Sequence, residues 1–287
     1  RDVAPSRGLG DVYKRQNQDG TDVVPALAES WEQVDDLTYT YKIREGVKFS
    51  DGSDLTMDDV LYSLNRVRED AYGMSYLFEH VDSFEVDEKT RTLTVHLTQP
   101  DSTWKYVPAT TPCQILKKSV VEAEGDAYGT NEGSVVGTGP YKFVSWAADS
   151  QIVLEKNEYW WGGADNLAID KINFYVMKDA STIALAVKSG TIDFAPGITN
   201  DVLPTYESLS NYNIIHDFET STVFVALNTQ VAPFDDVNAR KALAYCIDSS
   251  LVQQSIGGEY SAKLDVTCLS DNMYLSLIHI SEPTRRS

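Results

Sequence analysis

The stretch PALAESWEQVDDLTYTYKIREGVKFSDGSDLTMDDVLYSLNRV, Pro25 to Val67, decides the fold class. Leu37, Tyr39, Tyr41 and Ile43 alternate with polar residues, the period of a strand with one buried face. Asp51-Gly52 then supplies a turn. Thr56 stands at an N-cap position, and Asp58 and Asp59 occupy the first turn, where the helix dipole favours acids. Val60, Leu61, Leu64 and Val67 mark one apolar helical face. The stretch predicts strand, turn and helix, with every local signal in agreement.

Beyond it, SFEV and TLTVHL predict a hairpin across the polar turn Asp87 to Thr90. From Val136 onward, GTGPYKFVSW, SQIVLEKN and KINFYVM read as three strands. DASTIALAVKSGTIDFAPG predicts a helix capped by Asp179 or Ser181 and ended by Gly190, followed by a strand over IDFAP. That order implies a right-handed parallel crossover. A helix over Val202 to Leu209, a strand TVFVALNT and one amphipathic helix VNARKALAYCIDSSLVQQSI complete the pattern. The last helix carries Val237, Ala242, Leu243 and Cys246 on one side.

The two ends match none of this. Leu275 to Arg285 back-translates residue for residue to DNA resembling a transposase-type sequencing adapter, and the reverse complement of that DNA encodes Ser6 to Gln16. Residues 1–16 and 275–287 are therefore expected to be adapter-derived and foreign to the native fold. The sequence between them is expected to be a fragment, so a signal peptide or lipid anchor is not judged from its ends. No internal run approaches the length of a membrane span.

The formal charge of −19 repels phosphate backbones, so nucleic acid is not an expected partner. Cys113, Cys246 and Cys268 lack metal-ligand spacing and read as buried free thiols. His80, His96 and His216 are far apart in sequence and read as structural or surface imidazoles. The Gly137–Gly139 GTG precedes Pro140 and a strand, where a phosphate loop would need a helix N-terminus, so it reads as a tight turn. The pairs Asp58/Asp59 and Asp235/Asp236 sit at helix starts, where the dipole accounts for them. With no GxSxG, HExxH or Cys/His pairing, no enzyme and no cofactor are expected. The most ligand-like segment is DAYGMSYLFEHV, where Tyr72, Met74, Tyr76 and Phe78 crowd around Gly73; the same crowding also suits aromatics packed on a core.

The opening stretch resembles the signature of extracytoplasmic solute-binding proteins of the peptide/nickel class, family 5, which serve ABC importers. GTGPYKF, LEKNEYWWG, SGTIDF, FVALNT and ARKALAYCID follow in the order and spacing of that family, covering Asn17 to about Tyr260. The resemblance implies an α/β, periplasmic-binding-protein-like (type II) two-lobe clamshell, here truncated to most of lobe one. It implies a family-specific subdomain over 17–132, a sheet subdomain with the crossover over 133–229, and the hinge and start of lobe two over 230–274. It implies capture of di- or oligopeptides outside the cytoplasm, in the periplasm or on the outer membrane face as a lipoprotein, and delivery to permease subunits by a monomer. Membrane contact would come only through the permease or a lost lipid anchor. Tyr72, Met74 and Tyr76 are the expected ligand-binding residues. Asn228, Thr229 and Gln230 form the expected hinge of an open–closed equilibrium. A nickel or metal-chelate carrier, or the sensing domain of a transcriptional regulator, are the alternatives.

Overall fold

The computed structural model describes residues 14–16, 22–69, 74–215, 224–256 and 258. The chain divides into two compact units, Arg1–Val176 and Met177–Ser287.

In the first unit, β1 (Lys14–Gln16), which falls within the residues expected to be foreign to the native fold, pairs antiparallel with β2 (Val23–Pro25). A four-stranded antiparallel sheet follows, built from β3 (Ala28–Asp35), β4 (Thr38–Ile43), β5 (Val81–Asp87) and β6 (Thr92–Leu97) in the order β3-β4-β6-β5. The alternation read in the sequence is the alternation of burial. Tyr39, Tyr41 and Ile43 of β4 and Leu93, Val95 and Leu97 of β6 are buried. Register pairs Tyr41 with Leu93 and Tyr39 with Val95, so the inward rows of the two strands lie side by side. Leu37 falls before the strand and is 38% exposed. The sequence pattern does not signal β3, which buries only Ala28 and therefore lacks alternation.

Helix α1 (Met57–Glu69) packs beside β5, burying Met57, Val60 and Leu64. Its start is a reciprocal cap. The Asp59 amide donates to Thr56 Oγ1 at 3.1 Å, while Asp59 Oδ2 accepts from the Thr56 amide at 3.0 Å and from its hydroxyl at 2.6 Å. Asp59 Oδ1 also accepts from the Lys118 amide at 3.0 Å, in the first turn of α2 (Lys118–Glu124). One buried carboxylate thus satisfies orphan donors at two helix starts.

The three strands expected here are present as β7 (Tyr141–Ala147), β8 (Gln151–Lys156) and β9 (Lys171–Tyr175), which pair as an antiparallel meander. Its buried residues Ile152 and Leu154 pack against Phe143, Trp146 and Ile172.

In the second unit, α3 (Ala180–Lys188) begins at Asp179, whose side chain accepts from the Thr182 amide at 2.8 Å. The following strand and its parallel crossover are not formed. Ile192 and Ala195 pack beside α3 and α4 (Leu203–Glu207) around Ala184, Val187, Val202 and Tyr206. The Tyr212 hydroxyl donates to the carbonyls of Val187 and Ile192, at 3.0 and 3.2 Å. A side-chain hydroxyl takes the place of a ladder there, and Phe194 stays 77% exposed. The strand expected over TVFVALNT is likewise absent from its described part, residues 224–229, where Phe224 and Val225 are exposed. Alternation makes a segment competent for a strand, but only a neighbouring edge makes it one. The single terminal helix is two, α5 (Val237–Cys246) and α6 (Ser249–Ser255). Asp248 breaks it by accepting from the Ser250 and Leu251 amides, an N-cap that outcompetes helix continuation. On the side expected to be apolar and covered, Val237, Ala242 and Cys246 are exposed and Leu243 is half-buried.

Candidate functional site

The sequence around Met74 resolves into a single 3-10 turn, Ser75–Phe78, closed by the Leu77 amide on the Met74 carbonyl at 3.1 Å and the Glu79 amide on the Tyr76 carbonyl at 3.2 Å. Three residues per turn separate side chains that are two apart. Phe78 points into the core, edge-on to Phe84 at 6.0 Å and to Trp104 at 5.9 Å between ring centroids. Leu77 packs against the same cluster. Met74 and Tyr76 remain outside, 40% and 64% exposed. Tyr72 lies outside the described residues.

The anchor under this turn is not evident from sequence. Trp104 is buried, and its indole N–H donates to the buried Tyr41 hydroxyl at 3.0 Å. Burial pushes the Tyr41 hydroxyl pKa strongly upward, with the Trp104 bond pulling weakly the other way, so Tyr41 stays a neutral acceptor. Two residues beyond Trp104, Tyr106 is 42% exposed beneath Lys105, whose ammonium lies 5.4 Å from the ring centroid and 2.7 Å from Asp22. The hydrogen bond from Lys105 to Asp22 holds the Lys105 pKa above its ordinary value. The turn exposes a thioether and an aromatic ring, and Tyr106 presents a second ring beside an ion pair, groups suited to holding an organic solute by contact.

Asn228, Thr229 and Gln230 lie in a turn where Asn228 Oδ1 accepts from the Gln230 amide at 3.0 Å, and Thr229 and Gln230 are exposed. Among the described residues no group of three His, Cys, Asp or Glu is placed to hold a metal, and no helix is long and apolar enough to cross a membrane. His80 Nε2 lies 3.1 Å from Gln99 and His96 Nε2 lies 3.8 Å from Glu85, while His216 is outside the described residues. Cys113 is buried, which pushes its thiol up to about 12, but Cys246 is exposed, contrary to expectation, because α5 buries none of its residues.

Three of the motifs that carry the family resemblance meet at a different place. The Ser50 amide donates to the Gly137 carbonyl at 2.9 Å, and the buried Asn157 donates from its side chain to Gly139 at 2.8 Å and from its amide to Pro140 at 2.9 Å. The Tyr159 ring lies 3.1 Å from where a Cβ on Gly52 would stand, and Gly52 has φ of +85°. Arg44 covers Trp161 at 4.4 Å. KFSDG, GTGPY and NEYWWGG thus contact one another through Gly52 and the carbonyls of Gly137, Gly139 and Pro140.

A family profile for bacterial extracellular solute-binding proteins, family 5 (middle region), matches residues 22–275. The chain belongs to this family. Over 280 residues the chain is 28% identical to heme-binding protein A of Haemophilus influenzae, a match covering 88% of the chain and 50% of that protein. Over 243 residues it is 28% identical to the dipeptide-binding protein DppE of Bacillus subtilis, covering 78% of the chain and 44% of that protein. Its structure resembles the oligopeptide-binding protein AppA of Bacillus subtilis in complex with a nonapeptide, with a TM-score of 0.80 at 25% identity, over 96% of this chain and 55% of AppA. The chain spans about half the length of the curated relatives it matches. The fold is accordingly the α/β fold of family 5 binding proteins, a family of solute binders rather than enzymes whose members work outside the cytoplasm.

Proposed function

We propose that this family 5 protein captures di- or oligopeptides outside the cytoplasm and delivers them, as a monomer, to the permease of an ABC importer. The observation that carries this reading is the family match over residues 22–275, together with relatives named for dipeptide and oligopeptide binding. No nucleic-acid contact, cofactor or chemistry on the solute belongs to it. Location in the periplasm or on a lipid anchor, the subdomains 17–132, 133–229 and 230–274, and a hinge at Asn228, Thr229 and Gln230 are parts of the same reading. Tyr72, Met74 and Tyr76 line the solute site in it, supported by the exposure of Met74 and Tyr76 on a turn anchored by Phe78.

The test uses the protein carried to the length of its relatives. Calorimetry against a mixture of di- to nonapeptides is expected to give saturable binding. Tyr76→Ala should weaken it by about 1–3 kcal/mol, as for an aromatic covering a buried ligand. The urea midpoint should hardly move, because the Tyr76 ring is already 64% exposed. A midpoint loss with intact affinity overturns the site assignment. Tight binding of heme or a nickel chelate with no peptide binding overturns the solute class.

A further inference from the structure

The protein already holds one ammonium of its own between a ring and a carboxylate: Lys105 Nζ lies 5.4 Å from the Tyr106 ring centroid and 2.7 Å from Asp22. The turn over Ser75–Phe78 presents the same two groups with no cation of the chain between them. Side chains three apart on a 3-10 turn lie over one another, and the backbone stays helical through Glu79, at φ −55° and ψ −34°. Tyr76 and Glu79 therefore share one side of the turn, and both are exposed. Among the described residues no lysine, arginine or histidine makes an ion pair with Glu79, and none stands over the Tyr76 ring. The charge of the whole chain points the same way, since 24 Lys and Arg against 43 Asp and Glu draw cations towards the surface and repel anions. A carboxylate beside an exposed ring discriminates by charge. An ammonium or guanidinium gains both the ring face and the ion pair, a neutral side chain of equal length gains only the contact, and a carboxylate is repelled. Granted the reading that Tyr76 lines the solute site, we propose that Tyr76 and Glu79 form a subsite for a positively charged side chain, so that the protein favours peptides carrying lysine or arginine.

The test uses the protein carried to the length of its relatives and tetrapeptides of alanine in which each position in turn carries lysine, norleucine or glutamate. Norleucine has the lysine stem without its ammonium, so the comparison isolates the charge. In calorimetry at low salt, the lysine peptide should bind about tenfold more tightly than the norleucine peptide at one position or more, the scale of a cation–π contact combined with a partly desolvated ion pair, and the glutamate peptide should bind most weakly. Glu79→Gln should bring the lysine peptide to within about threefold of the norleucine peptide. Glu88→Gln removes the same charge from the exposed turn between β5 and β6 and should leave the preference in place. Peptides that bind with no preference for lysine at any position, a preference that survives Glu79→Gln, or an equal loss in the two variants overturns the subsite while leaving peptide capture standing. Binding of none of the peptides overturns peptide capture itself, and the subsite with it.

Discussion

Asp58 and Asp59 are neighbours in sequence, and their substitution should have very different effects. Asp59 is 7% exposed and accepts three hydrogen bonds, from the Thr56 amide, the Thr56 hydroxyl and the Lys118 amide. Bonds to a charged acceptor are worth about 1.5–3 kcal/mol each, and loss of a capping interaction about 1 kcal/mol. The three share one carboxylate and are not additive. Asp59→Ala should therefore cost about 3–5 kcal/mol, since it leaves donors unsatisfied at the starts of both α1 and α2. For a chain of this size each kcal/mol moves Tm by roughly 2–4 °C, giving a fall of about 6–20 °C. Asp59→Asn keeps the shape but turns an amide NH2 towards donors, and should recover less than half of the loss. Asp58 bonds Lys118 Nζ at 2.8 Å with its side chain 65% exposed, so Asp58→Ala should leave the urea midpoint nearly unchanged. Urea titrations of the three variants, followed by circular dichroism, decide the matter. Equal losses for Asp58→Ala and Asp59→Ala, or an Asn variant as stable as the parent, would refute the shared-cap reasoning.

Tyr41→Phe should cost about 1–3 kcal/mol in urea unfolding, because the buried Trp104 indole N–H loses its acceptor; an unchanged midpoint would show that this bond is not needed. The Asp51 carboxyl is pushed up by burial but pulled further down by Lys117 and Ser53, so its net pKa lies below 3.8. A depressed carboxylate contributes stability that is present above its unfolded pKa and lost as pH falls through the folded value, so this contribution should disappear below about pH 4. Lys117→Met should flatten that part of the acid-unfolding profile, and a profile as steep as the parent's would sink the assignment.

What can be read from the sequence is local. The start of α1 is legible because Thr56 and Asp59 are three residues apart and cap each other, and β4 because Tyr39, Tyr41 and Ile43 all face one core. β3 is not, since its existence depends on pairing with β4 and not on a pattern of its own. IDFAP and FVALNT read as strands on pattern alone, and among the described residues no strand edge pairs with them. At the turn around Met74, the sequence crowds Met74, Tyr76 and Phe78 together, and a period of two would place all three on one face. The 3-10 geometry instead sends Phe78 inward and leaves Tyr76 out, an assignment fixed by contacts with Trp104 and Phe84 that no local window contains.

This difference explains why the family is easier to read than the solute. The motifs that carry the family resemblance are held by close approaches: Ser50 against Gly137, Asn157 against Gly139 and Pro140, and Tyr159 over Gly52. A side chain on Gly52 would meet the Tyr159 ring and would need a positive φ, so the motif is constrained by packing whatever the protein binds. Met74 and Tyr76 are exposed, so packing inside the chain constrains their identity far less. The residues that identify the fold are those least free to vary with the solute. Under the proposed site assignment, exchanging Met74 or Tyr76 would alter solute contact without disturbing the junction.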